Sequence, residues 1–182
     1  YLAFVNQMPA VFYVKEEIIV KETSLTEARC LAESGGAVPI VRQLLADMVT
    51  PLGLMSLIRK DHDRYFLLES LEGIDARGRY SFIGYDPLLR LSAKDFAVTV
   101  ETRKGTQKSG KAPLDLIRNY LKEYQNPKVP GLPPFTGGFV GYFSYDFIQY
   151  CEPSLRFDPK KATDFPDFDL LLFDKVIVFD AF

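Results

Sequence analysis

Glu69 and Ser70 close the run YFLLES, at a point where a strand buried along its whole length would have stayed apolar. A carboxylate accepts hydrogen bonds, and a hydroxyl both donates and accepts them. Beside aromatic walls, the two offer part of what a free amino acid needs: an acceptor for its ammonium and a donor for its carboxylate. Such walls are at hand in the next segment, GRYSFIGYDP over 78–87, through Tyr80, Phe82 and Tyr85. Arg79 could pair with an acidic ligand, with Glu69 or with Asp86. An arginine in an apolar strand more commonly closes an internal ion pair or lays its stem over the sheet. On spacing alone the plainer account of Glu69 and Ser70 is also preferred: Glu69 faces solvent, Ser70 begins a turn, and nothing binds.

Other chemistries are excluded largely by counting. There is one histidine, His62, within the charged run DHDR, where a solvated surface residue is expected. With no second histidine and no cysteine pair, the sequence predicts no zinc or other metal site. A Ser-His-Asp triad would need that same His62, and no GxSxG elbow is present to meet it. The glycines of Gly137-Gly138-Phe139-Val140-Gly141 lack the Lys-Ser/Thr of a phosphate loop and do not space as GxGxxG. They are better read as a strand in which glycine lets another backbone approach closely. Cys30 and Cys151 have no metal or redox spacing, so reduced thiols and a cytoplasmic location are expected. A net charge of −2 predicts neither a nucleic-acid nor an anionic-membrane partner. No apolar run approaches the ~20 residues that span a bilayer. The opening YLAFVNQMPAVFYV is apolar but lacks a basic start, which makes it a poor signal peptide.

The elements that must position Glu69 and Ser70 follow from pattern. With 182 residues, 47% hydrophobic and 25% charged, one domain with a real core is expected. Val11–Val14 and Ile18–Val20 are possible strands. Ser24-Leu25-Thr26-Glu27 matches a capping box and predicts a helix over 25–34, stopped by Gly35-Gly36. Ala37–Leu45 reads as a strand. Thr50-Pro51 starts a second helix with Leu52, Met55 and Ile58 on its buried stripe. Two aromatic and β-branched strands over 65–71 and 78–85 flank the charged connection 72–77. Strands over 88–93 and 96–102 follow, then a polar hairpin tip over 103–111. A helix over 114–124 carries Leu114, Ile117, Leu121 and Tyr124 on one face, with Asp115 near its positive end. After a proline-rich linker come the glycine-rich strand, a loop over 153–166, and one strongly apolar strand over 170–179. Hairpins mixed with separated helices predict an α+β fold, with a largely antiparallel sheet and helices packed on one side.

LLES followed by GRYSFIGYDP, then FTGGFVGYFSYD, then FPDFDLLLFDKVIVFD, resembles the N-terminal region of anthranilate synthase component I. The segment AVPIVRQLLADMVT over 37–50 is similar to the opening of that family. The resemblance runs from about residue 23 to 182, leaving 1–22 as an extension without a counterpart. A sister family, the large component of aminodeoxychorismate synthase in folate biosynthesis, shares the outline less closely. A stand-alone binding module that reuses the fold is the remaining alternative.

The resemblance implies an enzyme that binds chorismate with Mg2+, takes ammonia from a glutamine amidotransferase subunit, and releases pyruvate and anthranilate for tryptophan biosynthesis. It places the chorismate and metal residues in a C-terminal part, so no catalytic residue is carried over and this chain alone is expected to be inactive. What it does imply here is half of the feedback site for L-tryptophan. Ser70 is its contact with the inhibitor, Leu68 and Glu69 adjoin it, and Arg79, Tyr80 and Ser81 are secondary candidates. The glycine-rich stretch is expected to pack against the catalytic half and transmit the effect.

Overall fold

A computed structural model describes residues 10–14, 23–33, 37–44, 46, 48–69, 79–127, 129–152, 154–155 and 164–180. It divides into two compact units: Tyr1–Pro87 with Lys122–Gly138 and Phe173–Phe182, and Leu88–Leu121 with Phe139–Leu172.

The first unit holds a five-stranded sheet, ordered β2-β1-β10-β4-β3. Its strands are β1 (Ala10–Val14), β2 (Ile40–Leu44), β3 (Tyr65–Glu69), β4 (Tyr80–Tyr85) and β10 (Lys175–Asp180). β1 runs parallel to β2 and β10, and β4 is antiparallel to β10 and β3. Helix α1 (Leu25–Ala32) begins with the predicted capping box: Ser24 Oγ accepts from Glu27 N, and Glu27 accepts from Ser24 N. Helix α2 (Pro51–Asp61) starts at Thr50, whose hydroxyl accepts from Gly53 N at 3.0 Å. Ile58 is its buried residue, whereas Leu52, expected on the buried stripe, is 64% exposed.

The second sheet, β7-β6-β5-β9-β8, lies almost wholly in the second unit. It consists of β5 (Leu89–Lys94), β6 (Ala97–Thr102), β7 (Gly105–Ser109), β8 (Gly138–Phe143) and β9 (Phe168–Phe173). β5 pairs antiparallel with both β6 and β9, and β6 with β7. Alternation decides which face is buried: Leu89, Leu91, Ala93, Val98, Phe168, Leu170 and Leu172 are core. Helix α3 (Pro113–Glu123) buries Pro113 and Leu116, while Leu121 is largely exposed. A 3-10 turn (Tyr145–Phe147) leads into the short α4 (Ile148–Cys151).

The α+β reading holds, with antiparallel pairing dominant and divided between two sheets. The apolar run over 170–179 is two strands, β9 and β10, separated at Asp174 and placed in different sheets. The polar stretch 103–111 contains a strand, β7, and its tip is limited to Arg103 and Lys104. Gly141 does what the pattern predicted: a Cβ there would run into the backbone oxygen of Asp169 on β9. The expected strand over 18–20, the helix stop at 35–36, the connection 72–77 and most of the loop over 153–166 lie outside the described residues.

Candidate functional site

The β3–β4 hairpin fixes which candidate residues share a face. Its register pairs Leu68 with Phe82 and Glu69 with Ser81, and paired residues point to the same side of a sheet. Leu68, Tyr80 and Phe82 therefore lie on one face, and Glu69 and Ser81 on the other. Ser81 Oγ donates to Glu69 Oε1 at 3.4 Å, at an exposed position. Tyr85 also lies on that second face, 4.8 Å from the His62 ring, and is not part of the wall made by Tyr80 and Phe82. Ser70, the central candidate, lies outside the described residues.

The first face is an aromatic layer over a buried valine floor. Val41, Val176 and Val178 are buried, and Tyr80, Phe82, Leu132 and Phe135 pack against them. The rings of Tyr80 and Phe82 are 5.9 Å apart, and Phe82 meets Phe135 edge-on at 5.7 Å. Phe66 stands edge-on to Phe135 and Phe173, its ring filling the space where Gly84 has no side chain. Each edge-to-face contact adds about 0.5–1.5 kcal/mol to the area it buries. At the open end of this layer, on edge strand β3, Leu68 is 47% exposed.

Arg79 is held by an internal partner. Its Nε and Nη2 donate to the two carboxylate oxygens of Asp180, whose side chain is fully buried. The guanidinium carbon sits 4.9 Å from the centroid of Tyr80. Of the two side chains expected as its partners, Asp86 pairs with Lys175 at 2.9 Å and Glu69 accepts from Ser81. The hairpin can therefore present a half-open apolar and aromatic surface with an already neutralised cation at its margin. That suits a flat apolar group.

Two polar clusters in the second unit were not singled out in the sequence. Arg90 forms a bidentate pair with Asp169 and reaches Glu101 at 3.6 Å; the hydrogen bonding it donates to Asp169 is the first cause of its raised pKa. The buried carboxylate of Asp167 accepts from Tyr150 OH at 2.7 Å and from Asp95 N at 2.8 Å. Phe96 N donates to Tyr150 OH at 2.8 Å. Burial, then the bond to Asp167, pushes the Tyr150 phenol well above its ordinary value. Asp95 and Phe96 both have positive φ, as a two-residue type I′ hairpin requires, and neither is glycine. Tyr150 and Asp167 hold the two strained amides, so the cluster reads as structural support. Among the described residues no three His, Cys, Asp or Glu side chains gather to hold a metal ion. The buried Asp167 and Asp180 and the half-buried Asp169 are already engaged by Tyr150, Arg79 and Arg90, so these residues do not fit Mg2+.

No family model matches the chain. Curated relatives do. Anthranilate synthase component 1 of Acinetobacter calcoaceticus is 38% identical over 165 residues, covering 87% of this chain and 33% of that protein. The protein of the same name from Pseudomonas aeruginosa is 36% identical over 155 residues, covering 84% and 31%. Anthranilate synthase alpha subunit 2, chloroplastic, of Arabidopsis thaliana is 34% identical over 174 residues, covering 88% and 28%. The chain thus spans about a third of the length of the curated relatives it matches. Among solved structures, anthranilate synthase component I from Streptococcus pneumoniae matches 74% of this chain and 28% of its own, with a TM-score of 0.47 and 22% identity.

Proposed function

We propose that this chain, a relative of anthranilate synthase component I over about a third of that protein's length, is the N-terminal portion that senses tryptophan. In the complete subunit, chorismate and ammonia from a glutamine amidotransferase partner would yield anthranilate and pyruvate, with Mg2+ and the reacting groups supplied outside the residues described here. The chain's own part is to bind and to position.

The observation that carries this reading is the face shared by Leu68, Tyr80 and Phe82. A half-exposed leucine on an edge strand continues an aromatic layer whose floor is buried. An indole would extend that layer, and Ser70, next in sequence after β3, would offer its hydroxyl to the amino-acid head group. The register puts Glu69 and Ser81 on the other face, so Leu68 and Tyr80 are the nearer partners of a ligand seated on this one. Arg79 contributes indirectly, holding Tyr80 through its stacking and its pair with Asp180.

Inhibition would then be a coupling of two arrangements. Tryptophan must bind the inactive arrangement better than the active one, by a typical ~1–3 kcal/mol. The catalytic part of the proposal is tested by incubating the complete subunit with chorismate, ammonia and Mg2+. Anthranilate as the product supports it, and aminodeoxychorismate assigns the protein to the sister enzyme.

A further inference from the structure

The β3–β4 hairpin leaves one strand edge with open backbone groups. Asp86 N donates to the Arg64 carbonyl at 3.2 Å, so Arg64 and Asp86 form a hydrogen-bonded pair that continues the β3–β4 register. In an antiparallel ladder such pairs recur at every second residue. Phe66 and Leu68 therefore direct their N–H and C=O groups to β4, and those of Tyr65, Leu67 and Glu69 point outward from the sheet. Among the described residues these outward backbone groups meet no partner.

The other three sheet edges are each protected. Thr23 N and Oγ1 engage the carbonyl and amide of Val41 on the outer side of β2, at 3.0 and 2.9 Å. β7 carries Lys108, and a lysine on an edge resists strand addition. β8 starts at Gly138 with a φ of 136°, outside the extended region. β3 has no lysine, proline or glycine, and it exposes Tyr65 and Leu68. Such an edge is a template for another strand.

This edge is also complementary to itself. A second copy related by a two-fold axis through Leu67 sets Leu67 opposite its counterpart and Tyr65 opposite the partner's Glu69. These are the residues whose amides point outward, so three pairs would each exchange two hydrogen bonds. Moving the axis to Phe66 or Leu68 leaves two such pairs within β3. With the axis at Leu67, each Tyr65 hydroxyl also meets a carboxylate that can accept from it. We propose that this chain forms a two-fold dimer by antiparallel pairing of β3 with β3 of a second copy. The inference rests on backbone direction and stands apart from the tryptophan reading.

Sedimentation of the full 182-residue chain from micromolar to millimolar concentration should show a monomer–dimer equilibrium. Amide exchange followed by NMR on the same samples reads the register. The Tyr65, Leu67 and Glu69 amides should gain protection as the dimer fills, while those of Phe66 and Leu68 stay protected throughout. Leu67→Pro removes one outward donor per copy and no bond to β4, at a position where an edge strand tolerates proline. The dimer then loses two hydrogen bonds, and its dissociation constant should rise at least ~10-fold. A chain that stays monomeric at millimolar concentration overturns the proposal. So does a dimer in which those three amides exchange as in the monomer, or one that Leu67→Pro leaves unweakened. Protection already complete in dilute monomer assigns the edge to another segment of the same chain and equally overturns it. The exchange comparison needs no variant.

Discussion

Arg79 and Asp180, 101 positions apart in the chain, form a bidentate ion pair in which the carboxylate is fully buried and the guanidinium lies against Tyr80. A buried carboxylate left without its cation is costly, whereas the pair as a whole contributes less than its Coulomb energy suggests. Arg79→Ala should therefore destabilise the chain by about 3 kcal/mol, at the low end for a broken buried pair because Arg79 is 35% exposed. Arg79→Ala with Asp180→Leu should recover part of that loss. Urea unfolding of the two variants checks both.

The Tyr150–Asp167 bond predicts a pH dependence. The folded state raises the phenol above its ordinary 10, so folding holds a proton that the unfolded chain releases. Stability from this group is complete below pH 10 and falls as pH rises above it, because the unfolded state then binds fewer protons. Tyr150→Phe should cost about 1–2 kcal/mol at neutral pH through lost hydrogen bonds to Asp167 and from Phe96. Its unfolding midpoint should then decline less steeply than the parent's above pH 10. Denaturation series at neutral and alkaline pH measure the two effects together.

Gly141 is required by the closeness of the Asp169 carbonyl. Gly141→Ala should force β8 and β9 apart and cost about 1–3 kcal/mol. Gly110, where a Cβ meets nothing within 4 Å, is the control. Alanine there should change stability by less than about 0.5 kcal/mol, read as a shift in unfolding midpoint.

Local signals were legible where neighbours along the chain supply the partner. The Ser24–Glu27 capping box, the Thr50 cap and the glycine that admits a second backbone all follow from residue types at short spacing. The strands over 170–179 defeat that logic for a specific reason. Phe168, Leu170 and Leu172 are buried on β9, and Val176, Val178 and Asp180 on β10, so the two-residue alternation passes through Asp174 in phase. Nothing in the pattern marks a change of sheet. The polar β7 is a strand because β6 pairs with it, a tertiary effect that overrides composition. The hairpin itself was readable, but the separation of Leu68 from Glu69 onto opposite faces became consequential only once Phe135 and the valine floor covered one of them. Asp180 could not be named as the partner of Arg79 from spacing, since the two meet across the sheet.

The central claim is tested most directly by tryptophan inhibition of the complete subunit carrying Ser70→Ala. Anthranilate formation from chorismate and ammonia should persist, with at least ~5-fold more tryptophan needed for half inhibition, the low end of a typical coupling energy. A variant as sensitive to tryptophan as its parent would contradict the assignment of the sensor to this hairpin.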